Sequence, residues 1–408
     1  MTAPDQAQWD RLLRQLGLAA DLPFYRRAWS EVDMRRVDSP AGFGQLPLVS
    51  RKDLVNDVFD IAPPYGSFYT SEVCRVNLTP SPRGLMPVYY TRADIEAMDQ
   101  VNAALLRSAG VKPIDRAMVL LSYHVFPAGL TIGGGLEALG CAVVPHGPGE
   151  TERAIDLCRR FRINVIYGNP SFALRLAERG VTGIDVLVAG GEPLSSVPGR
   201  REALTRAFGG AISVIESYGM AECLPIAREC SFGNGLHVAD EHVYVEIVDP
   251  DTGAALPDGE PGEIVVTHLA KQAMPLVRYR TGDVGALRAV SCPCGRNYTF
   301  DGGILGRTDT MRKIKGVKIY PEQVTRALSG APGLEHRRFK LMVESVEEAD
   351  RLTLCVSGDP PATLATDDLK ARLSREIMIR PNEIVFGDEH FTSSPDVIDD
   401  RRPRSGEE

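Results

Sequence analysis

A chain of 408 residues, 43% hydrophobic and 25% charged, is long enough for two or three domains and has ordinary globular composition. Its formal net charge of −8 works against a duplex-binding surface, which needs concentrated Lys and Arg. There is no run of about 18 apolar residues to span a bilayer, no charged start and apolar core at the amino terminus to act as a secretory signal, and no framework spacing among the eight cysteines. These features predict a reduced, cytoplasmic protein that binds neither nucleic acid nor membrane.

In chain order, helical and strand patterns alternate from about residue 100 to 225. Residues 94–108 carry apolar positions at helical spacing, and 117–122 (AMVLLS) read as a buried strand. A small-residue helix at 131–139, a strand at 141–145, a helix at 152–161, a strand at 164–167 and a helix at 171–179 follow. Strands at 185–189 and 211–216 close the series. Short β-branched runs separated by helices predict a parallel sheet covered on both faces. The texture then changes: 242–248 alternates, 249–253 (DPDTG) is a turn and 263–267 (EIVVT) follows, which predicts an antiparallel portion.

A boundary near Gly306 divides a 1–305 domain from a 306–408 domain. In the latter, strands at 313–320, 340–344, 351–356 and 383–386, with helices at 321–328 and 367–379, predict a small α+β fold. The last dozen residues, 397–408, are expected to be disordered. The fold class is therefore α/β, with parallel sheet flanked by helices plus an antiparallel portion, followed by the small α+β domain.

Two distant blocks, CSFGNGLH at 230–237 and CPCGR at 292–296, offer Cys230, His237, Cys292 and Cys294, a soft donor set suited to tetrahedral zinc. The alternative is ordinary buried thiols, although a Pro-Cys-Gly turn is a poor place for a core hydrophobe. Four further segments carry chemistry. Gly190, Gly191, Glu192 and Pro193 follow a buried strand, where glycines admit a planar ligand or simply turn the chain. Tyr218, Gly219 and Glu222 suit a flat base and Mg²⁺, or a helix start with a favourable acid. Asp283 on a Gly turn suits a ribose or a local β-turn. Arg307, followed by the basic stretch to Lys318, suits a hinge facing phosphate or a solvated edge strand.

Taken together and in order, these segments resemble the adenylate-forming enzymes, most closely the phenylacetate–CoA ligase branch, from about Leu46 to Arg402. The resemblance rests on Val144-Pro145 leading to GETER at 149–153, Gly190 to Pro193, SYGMAE at 217–222, GLH at 235–237 with DEH at 240–242, AMPLVRYRTGD at 273–283, and Gly306-Arg307 through Tyr320-Pro321. It implies a large domain binding ATP and an aromatic or small organic acid, an acyl-adenylate intermediate, rotation of the small domain about Asp309, and transfer to CoA. It further implies that Gly191, Glu192 and Pro193, with Ser217, Tyr218, Gly219 and Met220, hold the nucleotide. Asp283 and Arg307 would bind the ribose, and Glu222 would bind Mg²⁺. The acid pocket falls at Tyr123, Phe126 and Gly129, where His124 is either a polar group of the pocket or, as the preferred reading, a satisfied core histidine. Some members of the branch carry a structural zinc where these thiols and His237 fall, and the family is often dimeric.

Three departures strike phosphate handling. Residues 77–87 (NLTPSPRGLMP) stand where the family has a Ser/Thr/Gly-rich loop, and prolines, Pro80 and Pro82 among them, remove N–H donors. Ala221 replaces a hydroxyl residue. The catalytic lysine near the C-terminus has no counterpart, since the last lysine is Lys370. Arg83 is the candidate substitute cation. Three functions stay open: acid–CoA ligase, CoA-independent adenylating enzyme, and nucleotide-binding relative without catalysis.

Overall fold

The computed structural model describes residues 4–197, 199–310, 312–314, 317–335, 337–346, 349–362, 364–377, 379–391 and 397–401. The chain divides into two compact units. The first comprises Met1–Leu194, Arg200–Thr281 and Gly285–Gly303; the second comprises Ser195–Gly199, Gly282–Val284 and Ile304–Glu408.

The first unit opens with α1 (Gln6–Ala20), α2 (Pro23–Ala28), α3 (Pro40–Phe43) and α4 (Arg51–Asn56), a region the sequence patterns left blank. A capping box starts α4: Ser50 accepts from the Asp53 N–H, and Asp53 accepts from the Ser50 N–H. The segment expected as a phosphate loop is instead a hairpin of β1 (Arg75–Ser81) and β2 (Gly84–Tyr90), paired from Arg75↔Tyr90 to Ser81↔Gly84 across a Pro82-Arg83 turn. Next come α5 (Arg92–Ser108), β3 (Arg116–Val119), α6 (Pro127–Leu139), β4 (Ala142–Pro145), α7 (Thr151–Phe161), β5 (Val165–Gly168), α8 (Pro170–Glu178), β6 (Val186–Gly190), α9 (Arg200–Ala207) and β7 (Ser213–Met220). The chain then turns antiparallel through β8 (Cys223–Glu229) and β9 (Leu236–Val238), followed by β10 (Val243–Val248), β11 (Gly262–His268), β12 (Tyr279–Gly285), β13 (Leu287–Ala289) and β14 (Tyr298–Phe300).

One nine-stranded sheet, ordered β13-β14-β9-β8-β7-β6-β5-β3-β4, organises the unit. Strands β3 to β7 pair in parallel, and β8 joins β7 antiparallel. Alternation sorts their side chains. Met118, Ile166, Leu187 and Val214 enter one core with residues of α7, α8 and α9. Val119, Val165, Val188 and Ile215 enter the other with Ala103 and Leu106 of α5 and Ile132 and Leu136 of α6. The expected two-faced parallel sheet is thus present, with β10, β11 and β12 hydrogen-bonded in that order as the antiparallel portion. The strand expected to end at Glu216 continues to Met220, because pairing with β8 keeps the Tyr218 backbone in the ladder opposite Ala227.

In the second unit, β15 (Gly306–Arg307) pairs antiparallel with Asp283 and Val284. The single strand expected at 313–320 is a hairpin, β16 (Arg312–Ile314) and β17 (Val317–Ile319), with Lys315 and Gly316 outside the described residues. Beyond it lie α10 (Pro321–Ser329), β18 (Phe339–Val346), β19 (Ala349–Val356), α11 (Thr366–Ile377), β20 (Glu383–Phe386) and β21 (Ile398–Asp400). The sheet order is β20-β19-β18-β21, and its core includes Leu341, Leu354, Leu369 and Ile398. Expected disorder from residue 397 is corrected by β21. Ile398 is 3% exposed in that core, so burial outweighs the polar sequence around it. Residues 402–408 and 392–396 fall outside the described residues. Among the described residues, no helix is long and apolar enough to cross a membrane.

Candidate active site

The parallel strands end in a cluster of turns. Gly191, just after β6, takes φ +79°, and a Cβ there would lie 2.7 Å from Nδ2 of Asn169, which donates to the Gly190 carbonyl at 3.2 Å. Only glycine satisfies both the left-handed backbone and the close approach. Glu192 accepts from the Ser171 N–H at 3.2 Å and from its hydroxyl at 2.5 Å, placing negative charge on the first turn of α8. Ser217, Tyr218, Gly219 and Met220 lie on the last half of β7; Tyr218 meets Phe300 edge-to-face at 6.1 Å. Ser217 accepts from Tyr167 Oη at 2.8 Å.

Glu222 sits in the β7–β8 turn with its side chain 1% exposed, and Arg51 from the start of α4 donates to it. Burial pushes the Glu222 carboxyl above its ordinary value, and the Arg51 charge pulls it back. The same guanidinium donates to Thr79 Oγ1 at 3.1 Å and to the Pro80 carbonyl, tying α4, hairpin and β7–β8 turn together. Tyr90 at the end of β2 adds a hydrogen bond to the Ala221 carbonyl at 3.3 Å. Arg83, the cation chosen from sequence, is committed elsewhere: it pairs with Asp60 and lies 5.3 Å from the Phe59 ring centroid. The arginine on Glu222 is Arg51, which sequence reasoning missed. The capping box around Ser50 locates a helix start but says nothing of where its first side chain points. Glu222 is the carboxylate that the sequence assigned to a divalent cation, and here it holds the Arg51 guanidinium.

Tyr123 and Phe126 are half-buried in the loop between β3 and α6. Gly129 is required where it stands, since a Cβ would lie 2.4 Å from the Ser122 carbonyl oxygen. Burial pushes the Tyr123 phenol up to about 12. His124 is exposed, which corrects the core-histidine expectation: β3 ends at Val119, so His124 lies in the loop and not in the sheet core.

Cys230, His237, Cys292 and Cys294 converge, their donor atoms all within 4.8 Å of one another. The sulfurs of Cys230 and Cys292 are 3.7 Å apart, close to the roughly 3.8 Å edge of a tetrahedron with about 2.3 Å zinc–sulfur bonds. Both ring nitrogens of His237 are buried without a hydrogen-bond partner, and burial lowers its basicity. Burial opposes ionisation of Cys292, but the Cys294 N–H, the Asn234 amide and the adjoining thiols bring it below the usual thiol range. The donor set and its spacing fit zinc.

A second triad, Cys223, His242 and His268, is also close-set but lacks this character. Nδ1 of His268 accepts from the Leu276 N–H at 3.0 Å, so Nε2 carries the ring proton. Burial first, and then the nearby Lys271 cation, disfavour charge on both imidazoles, and Lys271 Nζ lies 3.5 Å from the Tyr90 ring centroid.

Within the second unit, Arg307 donates from Nη1 to Asp283 Oδ1 at 2.8 Å and from Nε to Asp309 Oδ1 at 3.1 Å. Gly282 takes φ +76°, and a Cβ would lie 3.0 Å from Arg307 Nη2, so the glycine admits the guanidinium against the turn.

An AMP-binding enzyme family matches residues 89–270. The chain is 36% identical over 373 residues to a phenylacetate–coenzyme A ligase of Thermus thermophilus, covering 87% of this chain and 81% of that protein. It is 29% identical to the phenylacetate–coenzyme A ligase of Escherichia coli, over 90% and 84% of the two chains. Among solved structures, an open conformation of 2-hydroxyisobutyryl-CoA ligase with 2-HIB-AMP and CoA superposes with a TM-score of 0.82 at 27% identity, covering 94% of this chain and 88% of that one.

Proposed function

Because the chain belongs to the phenylacetate–CoA ligase family of AMP-binding enzymes, we propose that it is an AMP-forming acid–CoA ligase acting on an aromatic or small organic acid. The observation that carries the reading is 36% identity to one such ligase across 87% of the chain. The carboxylate of the acid attacks the α-phosphorus of ATP and pyrophosphate leaves; the CoA thiolate then attacks the acyl carbon and AMP leaves. This reading is favoured over CoA-independent coupling because the structural neighbour at 0.82 is a CoA ligase.

The residues divide the work. Gly191, whose missing side chain makes room for the Asn169 amide, would flank the adenine with Glu192 and Pro193, and Tyr218 offers a ring face. Ser217, Gly219 and Met220 continue that wall; in the second unit, Asp283 and Arg307 are the residues to which the family resemblance gives the ribose. Tyr123, Phe126 and Gly129 line the place of the acid, and Asp309 is the hinge. Glu222 would hold Mg²⁺, which neutralises phosphate charge when bound. Arg51 adds a second positive group at the carboxylate, in the role first given to Arg83. The zinc at Cys230, His237, Cys292 and Cys294 would be structural, closing four positions and leaving none for substrate. The net charge of −8 works against a duplex-binding surface, and a cytoplasmic homodimer, as is frequent in the family, completes the reading.

Pyrophosphate release measured with a panel of acids, with and without CoA, tests the proposal. Acid-dependent release and acyl-CoA formation are expected. Release by no acid at saturating ATP and Mg²⁺ sinks it, and release without thioester restores CoA-independent coupling.

A further inference from the structure

Arg228 on β8 heads the fully buried side chains in size, at 1% exposure, and all four of its hydrogen bonds go to uncharged oxygens. Nη1 donates to the Asn102 carbonyl at 3.3 Å and Nη2 to Asn102 Oδ1 at 2.9 Å. Nη2 also reaches Tyr167 Oη at 3.4 Å, and Nε reaches Ser217 Oγ at 3.2 Å. Its guanidinium carbon lies 5.4 Å from the centroid of the Tyr167 ring. Among the described residues no carboxylate pairs with it. Burying a cation without an anion is strongly unfavourable, so its retention calls for a use.

The direction of each hydrogen atom supplies one. A guanidinium only donates, so Tyr167 Oη accepts from Arg228 and spends its single hydrogen on Ser217 Oγ, 2.8 Å away. Ser217 Oγ therefore accepts twice, from Tyr167 and from Arg228, and has its own hydrogen left to give. Ser217 is half-buried, beside Gly190 at the carboxyl ends of the parallel strands, where such sheets take ligands. A hydroxyl polarised by a cation is a strengthened donor whose preferred partner is an oxygen with negative charge.

We propose that Ser217, with Arg228 and Tyr167 as positioning residues, is the donor that recognises an oxygen acceptor on the acid substrate. This rests on the acid-activating reading above. The acceptor is either the reacting carboxylate or an oxygen on a neighbouring substituent, as in a 2-hydroxy or 2-keto acid.

The test uses the full chain and paired acids: phenylacetate against mandelate and phenylglyoxylate, and isobutyrate against 2-hydroxyisobutyrate. ATP–pyrophosphate exchange gives separate KM values for acid and ATP, and calorimetry gives acid binding without turnover. Ser217→Ala is expected to raise the acid KM and Kd by about tenfold to a hundredfold, the worth of a hydrogen bond to a charged group, and to raise the ATP KM by less than the acid KM. A loss confined to the oxygen-bearing acids identifies the substituent; an equal loss for every acid identifies the carboxylate. Tyr167→Phe and Arg228→Gln should act in the same direction and add nothing in the Ser217→Ala background, a pattern that mere destabilisation does not produce. Should Arg228→Gln fail to fold, Tyr167→Phe carries that arm.

Unchanged acid KM and Kd in Ser217→Ala overturn the proposal, as does a full Tyr167→Phe effect in the absence of the Ser217 hydroxyl. If the wild-type chain neither binds nor exchanges with any acid, the acid-activating reading falls and takes this with it. Wild-type activity with a neutral Ser217→Ala removes this proposal alone.

Discussion

Arg51 closes on the carboxylate of Glu222 across 171 positions of sequence, and that single contact ties the amino-terminal helices to the turn at the end of the central sheet. It also concentrates the phosphate-handling question on one pair of side chains.

Arg51→Met should therefore cost both stability and rate. It strands a carboxylate whose side chain is 1% exposed, while Arg51 itself is 36% exposed and solvent weakens the pair. A loss of about 2–3 kcal/mol is expected in chemical denaturation. Adding Glu222→Gln should recover most of that stability, because the stranded charge is gone, without restoring pyrophosphate release. Independent, additive losses of stability would contradict the pairing.

Gly191→Ala forces a side chain into φ +79° and to within 2.7 Å of Asn169 Nδ2. Backbone strain of about 1–2 kcal/mol is expected, together with weakened AMP binding by calorimetry. If AMP affinity stays at the wild-type level, the turn after β6 does not face the nucleotide.

The four-donor cluster should carry stoichiometric zinc in freshly purified protein. Cys292→Ser should release it and lower Tm. Metal analysis reads the first outcome and a melting curve the second. Full-length protein without zinc, equally stable with and without a chelator, would leave these residues as buried thiols.

Acid should erode stability partly through His242. Burial first, then the neighbouring Lys271 charge, lower its pKa to about 4, with Glu241 and Asp94 acting the other way. The unfolded chain takes up this proton as pH falls below about 6.5, while the fold resists until about 4. Stability is therefore intact above 6.5 and is lost as pH falls through that window, by about 3 kcal/mol for this group alone. Replacing His242 with Asn should flatten the pH profile of denaturation between 6.5 and 4. An unchanged slope there means that other groups dominate.

The parallel half of the sheet was legible because its strands are short β-branched runs bracketed by helices, so period alone located β3 to β6. The convergence of Cys230, His237, Cys292 and Cys294 was legible because thiols and an imidazole are chemically distinctive even when far apart. Prolines in 77–87 argued against a cradle of N–H donors, but nothing local in the sequence marked the hairpin ladder between Arg75 and Tyr90. Arg51 and Arg228 were not legible. A charged residue at a helix start or within a strand ordinarily faces solvent, and the partners that bury these two, Glu222 for one and Asn102 with Tyr167 for the other, lie 61 to 171 positions away. Met220 and Ile398 failed for a related reason: strand pairing with distant segments extended order past where local composition signals a stop.

Ser217, Arg228, His237 and Thr299 stand opposite one another on β7, β8, β9 and β14, forming a single rung across the sheet. Paired neighbours on such a rung share a face, so the imidazole offered to zinc and the hydroxyl offered to substrate are separated by one arginine. If the cluster holds zinc and Ser217 meets the acid as proposed, chelation is expected to shift the acid KM before the protein unfolds, and an unchanged KM would separate the two sites.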